Sequence, residues 1–205
     1  MSAYRPLTFH NGNVSLQAVS AGPEKGIPLL LLHGFPEFWY GWRRQIDALA
    51  EAGFYVVAPN QRGYNTSDKP WPVSAYTVPH LVSDVLAIAD QLGGEKFCLA
   101  GHDWGAAVAW NVALQHPRRV SRLAILNVPH PSVMLHHVKT SPAQMVRSWY
   151  ILFFQLPWLP ERLLEAGNFR LLASSLLRTS RRGTFSSEDL QRYRQAWLQP
   201  GALRG

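Results

Sequence analysis

Residues 96–110 read KFCLAGHDWGAAVAW, and one acidic residue, Asp103, interrupts this mostly apolar stretch. The part before Asp103 predicts a buried strand, and the alanine-rich part after it predicts a helix. Gly101 and Gly105 flank the acid and allow a tight strand-to-helix turn of the kind that presents a nucleophile. Serine is usual at the centre of that turn, whereas this one holds a carboxylate. Because a carboxylate at a helix start is also a common N-cap, a second motif is needed to favour catalysis.

A second motif follows an earlier apolar strand, in residues 29–43, LLLLHGFPEFWYGWR. The residues directly after the strand are His33, Gly34, Phe35 and Pro36. A nucleophile turn is served by two backbone amides, one from such a loop and one from the residue after the nucleophile. The sequence therefore predicts an oxyanion hole made by the amides of Phe35 and Trp104. We assign His33 and His102 to orienting the two loops.

Strand-like and helix-like segments alternate over the first two thirds of the chain. The strand-like segments are 15–21, 28–34, 54–60, 96–101 and 120–127. The helix-like segments are 42–53, 78–94 and 105–117. Alternation at this spacing is typical of parallel strands joined by crossover helices. The sequence predicts an α/β fold with a mostly parallel sheet and helices on both faces.

The pattern changes after residue 127, where strand-like segments stop. Two helices are predicted in the remainder, over residues 141–155 and 186–201. Ser186 and Asp189 have the spacing of a capping box at the start of the second of these helices. We expect residues 1–127 to form the N-terminal part of a core domain. Residues 128–205 are expected to form an incomplete helical cap, with residues 128–140 as its hinge.

The composition is that of a globular chain, with 205 residues, 47% hydrophobic and 16% charged. The single cysteine, Cys98, excludes an intrachain disulfide and favours a reducing, cytoplasmic compartment. Its surroundings, FCLAG, predict a buried thiol. The first residues lack the apolar segment of a secretory signal. The longest apolar runs, 28–32 and 150–159, are too short for a membrane span, so we expect none.

The positive charge lies mainly in the last third of the chain. Residues 139–205 contain ten Lys and Arg against four Asp and Glu, whereas the net charge of the whole chain is +7. A basic segment can bind nucleic acid, but these arginines are spread along helical patterns instead of clustering with aromatic residues. The distribution favours a solvated helical face, and we expect no nucleic-acid partner.

Four motifs together resemble the epoxide hydrolases of the α/β-hydrolase fold. They are HGFPEFWYGWR (33–43), RGYNTSDKP (62–70), GHDWG (101–105) and LNVPHP (126–131). The resemblance extends from about residue 7 to residue 203. It implies that Asp103 attacks an epoxide carbon and forms an alkyl-enzyme ester, which water then hydrolyses to a diol. It also implies a small apolar epoxide and water as substrates, with no cofactor and no metal.

The resemblance also implies a tyrosine that donates to the epoxide oxygen. Tyr150, in RSWYILFFQLP, falls where the family's first cap tyrosine does. The alternative is a tyrosine packed under a helix. Four further aromatic residues either line an apolar pocket or belong to the core, namely Trp39, Trp104, Trp149 and Phe153. By the same resemblance, we expect a cis peptide bond between Phe35 and Pro36.

The family's second cap tyrosine, last two strands and acid–histidine pair have no counterpart in this sequence. We expect a truncated chain that forms the ester and hydrolyses it poorly. His130, His136 and His137 are not predicted to replace the missing base. The strand at 120–127 is expected to be an exposed edge.

Three alternatives to an epoxide hydrolase share parts of these motifs or of the fold. Haloalkane dehalogenases share the Asp turn and the tryptophan after it, but usually have a polar residue at the position of Phe35. A related defluorinating group keeps the phenylalanine and prefers arginine at the position of Trp104. Phe35, Trp104 and Tyr150 together favour epoxides, and halide release against diol formation separates these reactions. The remaining alternative is an inactive binding protein, which would gain no covalent adduct from an epoxide.

Overall fold

Residues 4–141, 153–154, 156 and 158–204 are described by the computed structural model. The strands are β1 (Arg5–Asn11), β2 (Val14–Ala21), β3 (Ile27–Leu32), β4 (Phe54–Pro59), β5 (Phe97–His102) and β6 (Val120–Leu126). They form one sheet in the order β1-β2-β4-β3-β5-β6. The pairs β3–β4, β3–β5 and β5–β6 are parallel, and β1–β2 and β2–β4 are antiparallel. The predicted α/β class with a mostly parallel sheet is confirmed.

The central strands are apolar throughout because both of their faces are covered. Leu30 and Leu32 of β3 pack in one cluster with residues of α2 (Val78–Gln91) and α3 (Trp104–Gln115). Leu29 and Leu31, which point the other way, pack in a second cluster with Ile46 of α1 (Arg43–Glu51). Helices therefore lie on both faces of the sheet, as the alternation of segments predicts.

Strand β1 is absent from the sequence prediction and is the clearest omission in the core. Its residues are mostly exposed, because it lies at one edge of the sheet and pairs only with β2 in the strand order. Phe9 is its one buried residue among Arg5–Asn11. A strand with so little apolar periodicity gives a weak sequence signal. Strand β6 forms the opposite edge, as expected, and Leu126 within it is 40% exposed.

The chain divides into two compact units, Met1–Val128 with Gln199–Gly205, and Pro129–Leu198. The last seven residues thus group with the sheet, although the sequence assigns them to the cap. The described part of the second unit is helical: α4 (Pro131–Thr140), α5 (Leu159–Thr179) and α6 (Ser187–Trp197). Helix α5 is two helical segments, because Ala166–Phe169 have non-helical backbone angles.

The capping box at the start of α6 is confirmed, with Ser186 and Asp189 each accepting a bond from the other's backbone N–H. The hinge expected at 128–140 stays a prediction, and most of this segment is helical, because α4 occupies Pro131–Thr140. His130 caps that helix by accepting from the Ser132 amide, and Pro131 stands at its first position. Histidine is a rare N-cap, so the helix start is hard to recognise in the sequence.

Candidate active site

The predicted turn at Asp103 is present between β5 and α3. Asp103 has φ 52° and ψ −123°, a conformation that non-glycine residues rarely adopt. Its carbonyl accepts from the amides of Ala106 and Ala107 at 2.9 and 3.1 Å, which starts α3. Its own amide lies 3.3 Å from the carbonyl oxygen of Leu126 in β6. The backbone of Asp103 is therefore held by the helix on one side and by the neighbouring strand on the other.

The Asp103 carboxylate does not cap the helix that it precedes, among the contacts of the described residues. Instead, its Oδ1 accepts a hydrogen bond from the Phe35 amide at 3.0 Å. Phe35 lies in the loop after β3, and its peptide bond to Pro36 is cis, as expected. The side chain of Asp103 therefore does not act as a simple N-cap. The carboxylate is directed towards the loop that the sequence predicts to carry the first oxyanion donor.

Three glycines make this approach possible. A methyl group on Gly34 would lie 2.6 Å from Asp103 Oδ1, so a side chain there would displace the carboxylate. A methyl group on Gly105 would lie 2.6 Å from the carbonyl carbon of Leu32, and one on Gly101 would lie 2.7 Å from Cα of Ala106. The glycines therefore let α3 and the β3 loop pack directly against the turn.

Trp104, whose amide is the second predicted donor, is the first residue of α3. Amides in a first helical turn have no acceptor within their own helix, which leaves them suited to bind negative charge. The Trp104 side chain is 55% exposed in the described structure, so it is not a core residue. Trp39, by contrast, is partly buried and packs edge-to-face against Tyr4.

His33 is fully buried beneath the loop that it begins. Its Nδ1 lies 3.0 Å from the carbonyl oxygen of Gly34, and its Nε2 lies 3.0 Å from the backbone amide of Gln61. A carbonyl only accepts and an amide only donates, so the ring is neutral with its proton on Nδ1. Burial lowers the pKa of His33 to about 4, which keeps this form at neutral pH. The predicted orienting role of His33 is consistent with these contacts.

His102, directly before Asp103, contacts two neighbouring loops. Its Nδ1 lies 3.4 Å from Oε2 of Glu37, in the loop after β3. Its Nε2 lies 3.1 Å from Nδ2 of Asn127, the residue after β6. The hydrogen bond to Glu37 is the largest cause that raises the pKa of His102, and partial burial opposes it. Glu37 and Asn127 therefore belong to the site.

Sequence reasoning missed Glu37 and Asn127. Both lie inside quoted motifs, HGFPE and LNVPH, but neither has a spacing that indicates contact with His102. Their signal is positional: each follows a parallel strand that neighbours β5, and the carboxyl ends of such strands meet at one edge of the sheet.

Tyr64 is a third residue that the sequence did not single out. Its ring packs edge-to-face on His33, with the ring centroids 4.7 Å apart. Burial, and then the charge of Asp103, raise the pKa of Tyr64. The loop of Tyr64 is anchored by a buried ion pair in which Arg62 contacts Asp84 at 2.6 and 2.8 Å. Tyr64 is thus held as a neutral phenol within the field of Asp103.

The structure brings Asp103, Phe35, Gly34, His33 and His102 together at one end of the sheet. Tyr150 and Trp149 lie outside the described residues, so their predicted roles stay predictions. Phe153 is described and packs against Phe154 in the second unit. Cys98 is buried, as expected, with its Sγ 3.3 Å from Oγ of Ser121.

A search of the described residues finds no group of three or more His, Cys, Asp or Glu side chains arranged to hold a metal ion. Within the same residues, no helix has the length and apolar character of a membrane span.

The sequence profile of the α/β hydrolase fold family matches residues 27–199. The AB hydrolase superfamily protein YfhM of Bacillus subtilis is 45% identical over 196 residues, which cover 95% of this chain and 68% of that protein. Human epoxide hydrolase 4 is 42% identical over 193 residues, covering 91% of this chain and 53% of the relative.

Among solved structures, a variant epoxide hydrolase from Bacillus megaterium in complex with its diol product superposes with a TM-score of 0.87. It is 32% identical, and the match covers 96% of this chain and 69% of that one. The present chain therefore spans about half the length of human epoxide hydrolase 4.

Proposed function

Because the chain belongs to the α/β hydrolase fold family and is a hydrolase related to epoxide hydrolases, we propose that it opens epoxides with Asp103 as the nucleophile. The observation that carries this proposal is the hydrogen bond between the Phe35 amide and Asp103 Oδ1. A carboxylate suits a saturated epoxide carbon, which has no carbonyl group for a serine to attack. An attacking carboxylate has no proton to lose, so this step needs no general base.

In the first step, Oδ2 of Asp103 attacks a ring carbon from the side opposite the ring oxygen. The carbon–oxygen bond of the ring breaks, and its electron pair stays on the oxygen. That oxygen takes a proton from a hydroxyl donor, a role we assign to Tyr150 on the family resemblance. The product is an ester of Asp103 with the opened substrate. Oδ1, which the Phe35 amide already binds, becomes the carbonyl oxygen of this ester.

In the second step, a water molecule loses a proton to a base and attacks the ester carbon. The negative charge then develops on Oδ1, where the amides of Phe35 and Trp104 would stabilise it. Loss of one oxyanion donor typically costs about 10²–10³ in rate. The tetrahedral intermediate collapses by expelling the substrate oxygen, which takes the proton held by the base and leaves as the alcohol of the diol. The carboxylic acid left on Asp103 then loses its proton to the hydroxyl donor of the first step, which regenerates both groups.

The second step needs a base that takes a proton from water. The charge of Asp103 acts on both His33 and His102, and both ring nitrogens of each already have partners. Neither ring has a nitrogen ready to take a proton from water. We therefore propose that the ester accumulates. We also propose, on the family resemblance, that the substrate is a small apolar epoxide and that residues 128–205 are a helical cap.

Incubation with styrene oxide followed by intact-mass measurement tests the proposal. We expect the mass of one substrate on the chain, located on Asp103 by peptide mapping, with little diol released. Asp103→Ala should abolish the adduct, whereas Asp90→Ala, at an exposed acid paired with Arg119, should leave it unchanged. A folded chain that gains no adduct would favour the binding-protein alternative. Chloride release from the matched alkyl chloride, 2-phenylethyl chloride, without reaction of the epoxide, would favour a dehalogenase.

A further inference from the structure

The loop after β3 and the turn after β5 are joined by side chains as well as by the Phe35–Asp103 bond. Glu37 lies two residues after Phe35, and His102 lies directly before Asp103. The contact between Oε2 of Glu37 and Nδ1 of His102, at 3.4 Å, therefore bridges the two segments that carry the proposed donor and nucleophile. Asn127 extends this bridge to β6: Nε2 of the neutral His102 ring accepts from Nδ2 of Asn127 at 3.1 Å, and Nε2–H of the protonated ring donates to Oδ1 once the amide turns over.

The surroundings of Glu37 hold its carboxylate in place. The Glu37 amide donates to the carbonyl of Gly34 at 2.9 Å, which closes a tight turn around Phe35. A methyl group on Gly41 would lie 3.0 Å from the Glu37 carboxylate, so the side chain packs against that glycine. The Glu37 side chain is 18% exposed and that of His102 is 33% exposed. Partial burial makes such a pair stronger than one in open solvent.

The geometry decides between two roles for His102. A histidine paired with a carboxylate beside a nucleophile has the composition of a base that activates water. Such a base needs one free ring nitrogen, but Glu37 faces Nδ1 and Asn127 faces Nε2. The ring is held at both ends, which is the arrangement of a positioning residue.

We propose that the Glu37–His102 ion pair is a positioning clamp that holds the Phe35 amide at hydrogen-bond distance from Asp103. Its consequence for catalysis rests on the function proposed above. When the clamp is intact, Oδ1 stays bound to Phe35 and Oδ2 is left to attack. When it is broken, the loop is released from the turn and the carboxylate loses its orientation. A misplacement of about 1 Å at a reacting group can cost about 10² in rate.

The clamp is expected to depend on pH through His102. The ionisable groups that interact with its ring are Glu37, Asp103 and His33. Glu37 and Asp103 favour the protonated ring, whereas His33 has a pKa of about 4 and is neutral above that pH. Because the pKa of His102 is raised, its ring keeps the proton at pH values at which an ordinary histidine has begun to lose it. The ion pair is therefore present at these and at lower pH values. It weakens as the pH rises through the raised value.

Glu37→Gln tests the clamp, since glutamine keeps the shape of the side chain and removes its charge. Glu24→Gln is the matched control, because Glu24 pairs with Arg5 at the exposed edge of the sheet. The first measurement is amide hydrogen exchange at Phe35. The second is the rate of adduct formation with styrene oxide between pH 5 and 9. Circular dichroism and thermal unfolding confirm that each variant is folded.

We expect Glu37→Gln to speed exchange at Phe35 and to slow adduct formation, each by about tenfold or more. The wild-type rate should fall at high pH as the ion pair is lost, and Glu37→Gln should lack this fall because it has no ion pair to lose. Glu24→Gln should match the wild type in both measurements. Unchanged exchange at Phe35 in folded Glu37→Gln would overturn the clamp. Faster exchange in the variant, with no adduct in any chain, would support the clamp and reject the proposed chemistry.

Discussion

The Phe35 amide lies 3.0 Å from Oδ1 of Asp103, although the two residues are separated by 68 positions in the sequence. The sheet explains this proximity. Strands β3 and β5 are adjacent and parallel, and Leu32 stands opposite Gly101 in their register. The two loops therefore leave the sheet side by side. The relative position of donor and acceptor is fixed by strand register, which makes the site sensitive to small changes in the backbone around it.

Gly34→Ala should remove most of the reactivity of Asp103 with styrene oxide. The added methyl group would lie 2.6 Å from Oδ1 and would push the carboxylate away from the Phe35 amide. We expect adduct formation to fall by about 10². Gly12→Ala is the comparison, because Gly12 has φ 59° and no atom within 4 Å of the added methyl group. It should cost about 1 kcal/mol of stability and leave the rate unchanged. Equal rates in the two variants would contradict the steric argument.

Asp84→Asn should destabilise the protein strongly in urea unfolding. The ion pair of Asp84 with Arg62 is buried, with 7% and 5% of the respective side chains exposed. Breaking such a pair leaves an uncompensated charge, so we expect a loss of about 3–5 kcal/mol in the free energy of unfolding. Glu24→Gln, which breaks an exposed pair, should cost less than about 1 kcal/mol. A loss for Asp84→Asn as small as that of Glu24→Gln would show that the loop of Tyr64 is not anchored there.

His33 should make the stability of the fold depend on pH between about 6.5 and 4. Its pKa is lowered to about 4 in the folded chain from the ordinary value of 6.5. Between these two pH values His33 binds a proton in the unfolded chain but not in the folded chain. The free energy of unfolding therefore falls as the pH falls. The full effect is about 3 kcal/mol. Urea unfolding at several pH values measures it, and His33→Gln should remove this part of the dependence.

Slow hydrolysis of the ester in water enriched in oxygen-18 should place the label in Asp103. Water attacks the carboxyl carbon of the ester, so one oxygen of the regenerated side chain comes from solvent. Mass spectrometry of the peptide that contains Asp103 detects the exchange after prolonged incubation with styrene oxide. Label found only in the diol would mean that water attacks the epoxide directly. Rapid multiple turnover would mean that a base other than His33 or His102 acts.

The sequence predicts those parts of the site whose signal is local. The glycines around Asp103 and the HGFP segment identify two turns at the ends of apolar strands, and the structure places both. Glu37 and Asn127 have no such signal, because their contact with His102 arises from the order of β3, β5 and β6 in the sheet. That order is set by long-range pairing, which residue patterns do not encode.

The same limit applies to elements with few buried residues. Strand β1 and helix α4 both form, yet the sequence prediction contains neither. The edge position of β1 leaves most of its side chains in solvent, and α4 starts from a histidine cap. In both cases tertiary pairing or an unusual cap replaces the apolar periodicity on which prediction depends.

The buried thiol of Cys98 can be used to measure how often strand β5 opens. It is the single cysteine of the sequence, it lies on the strand that leads to Asp103, and it is 5% exposed. A thiol reagent reaches it only when β5 separates from its neighbours, so the labelling rate reports the free energy of that opening. A cysteine introduced on the surface would react much faster, which permits selective attachment of a fluorophore without removing the native residue.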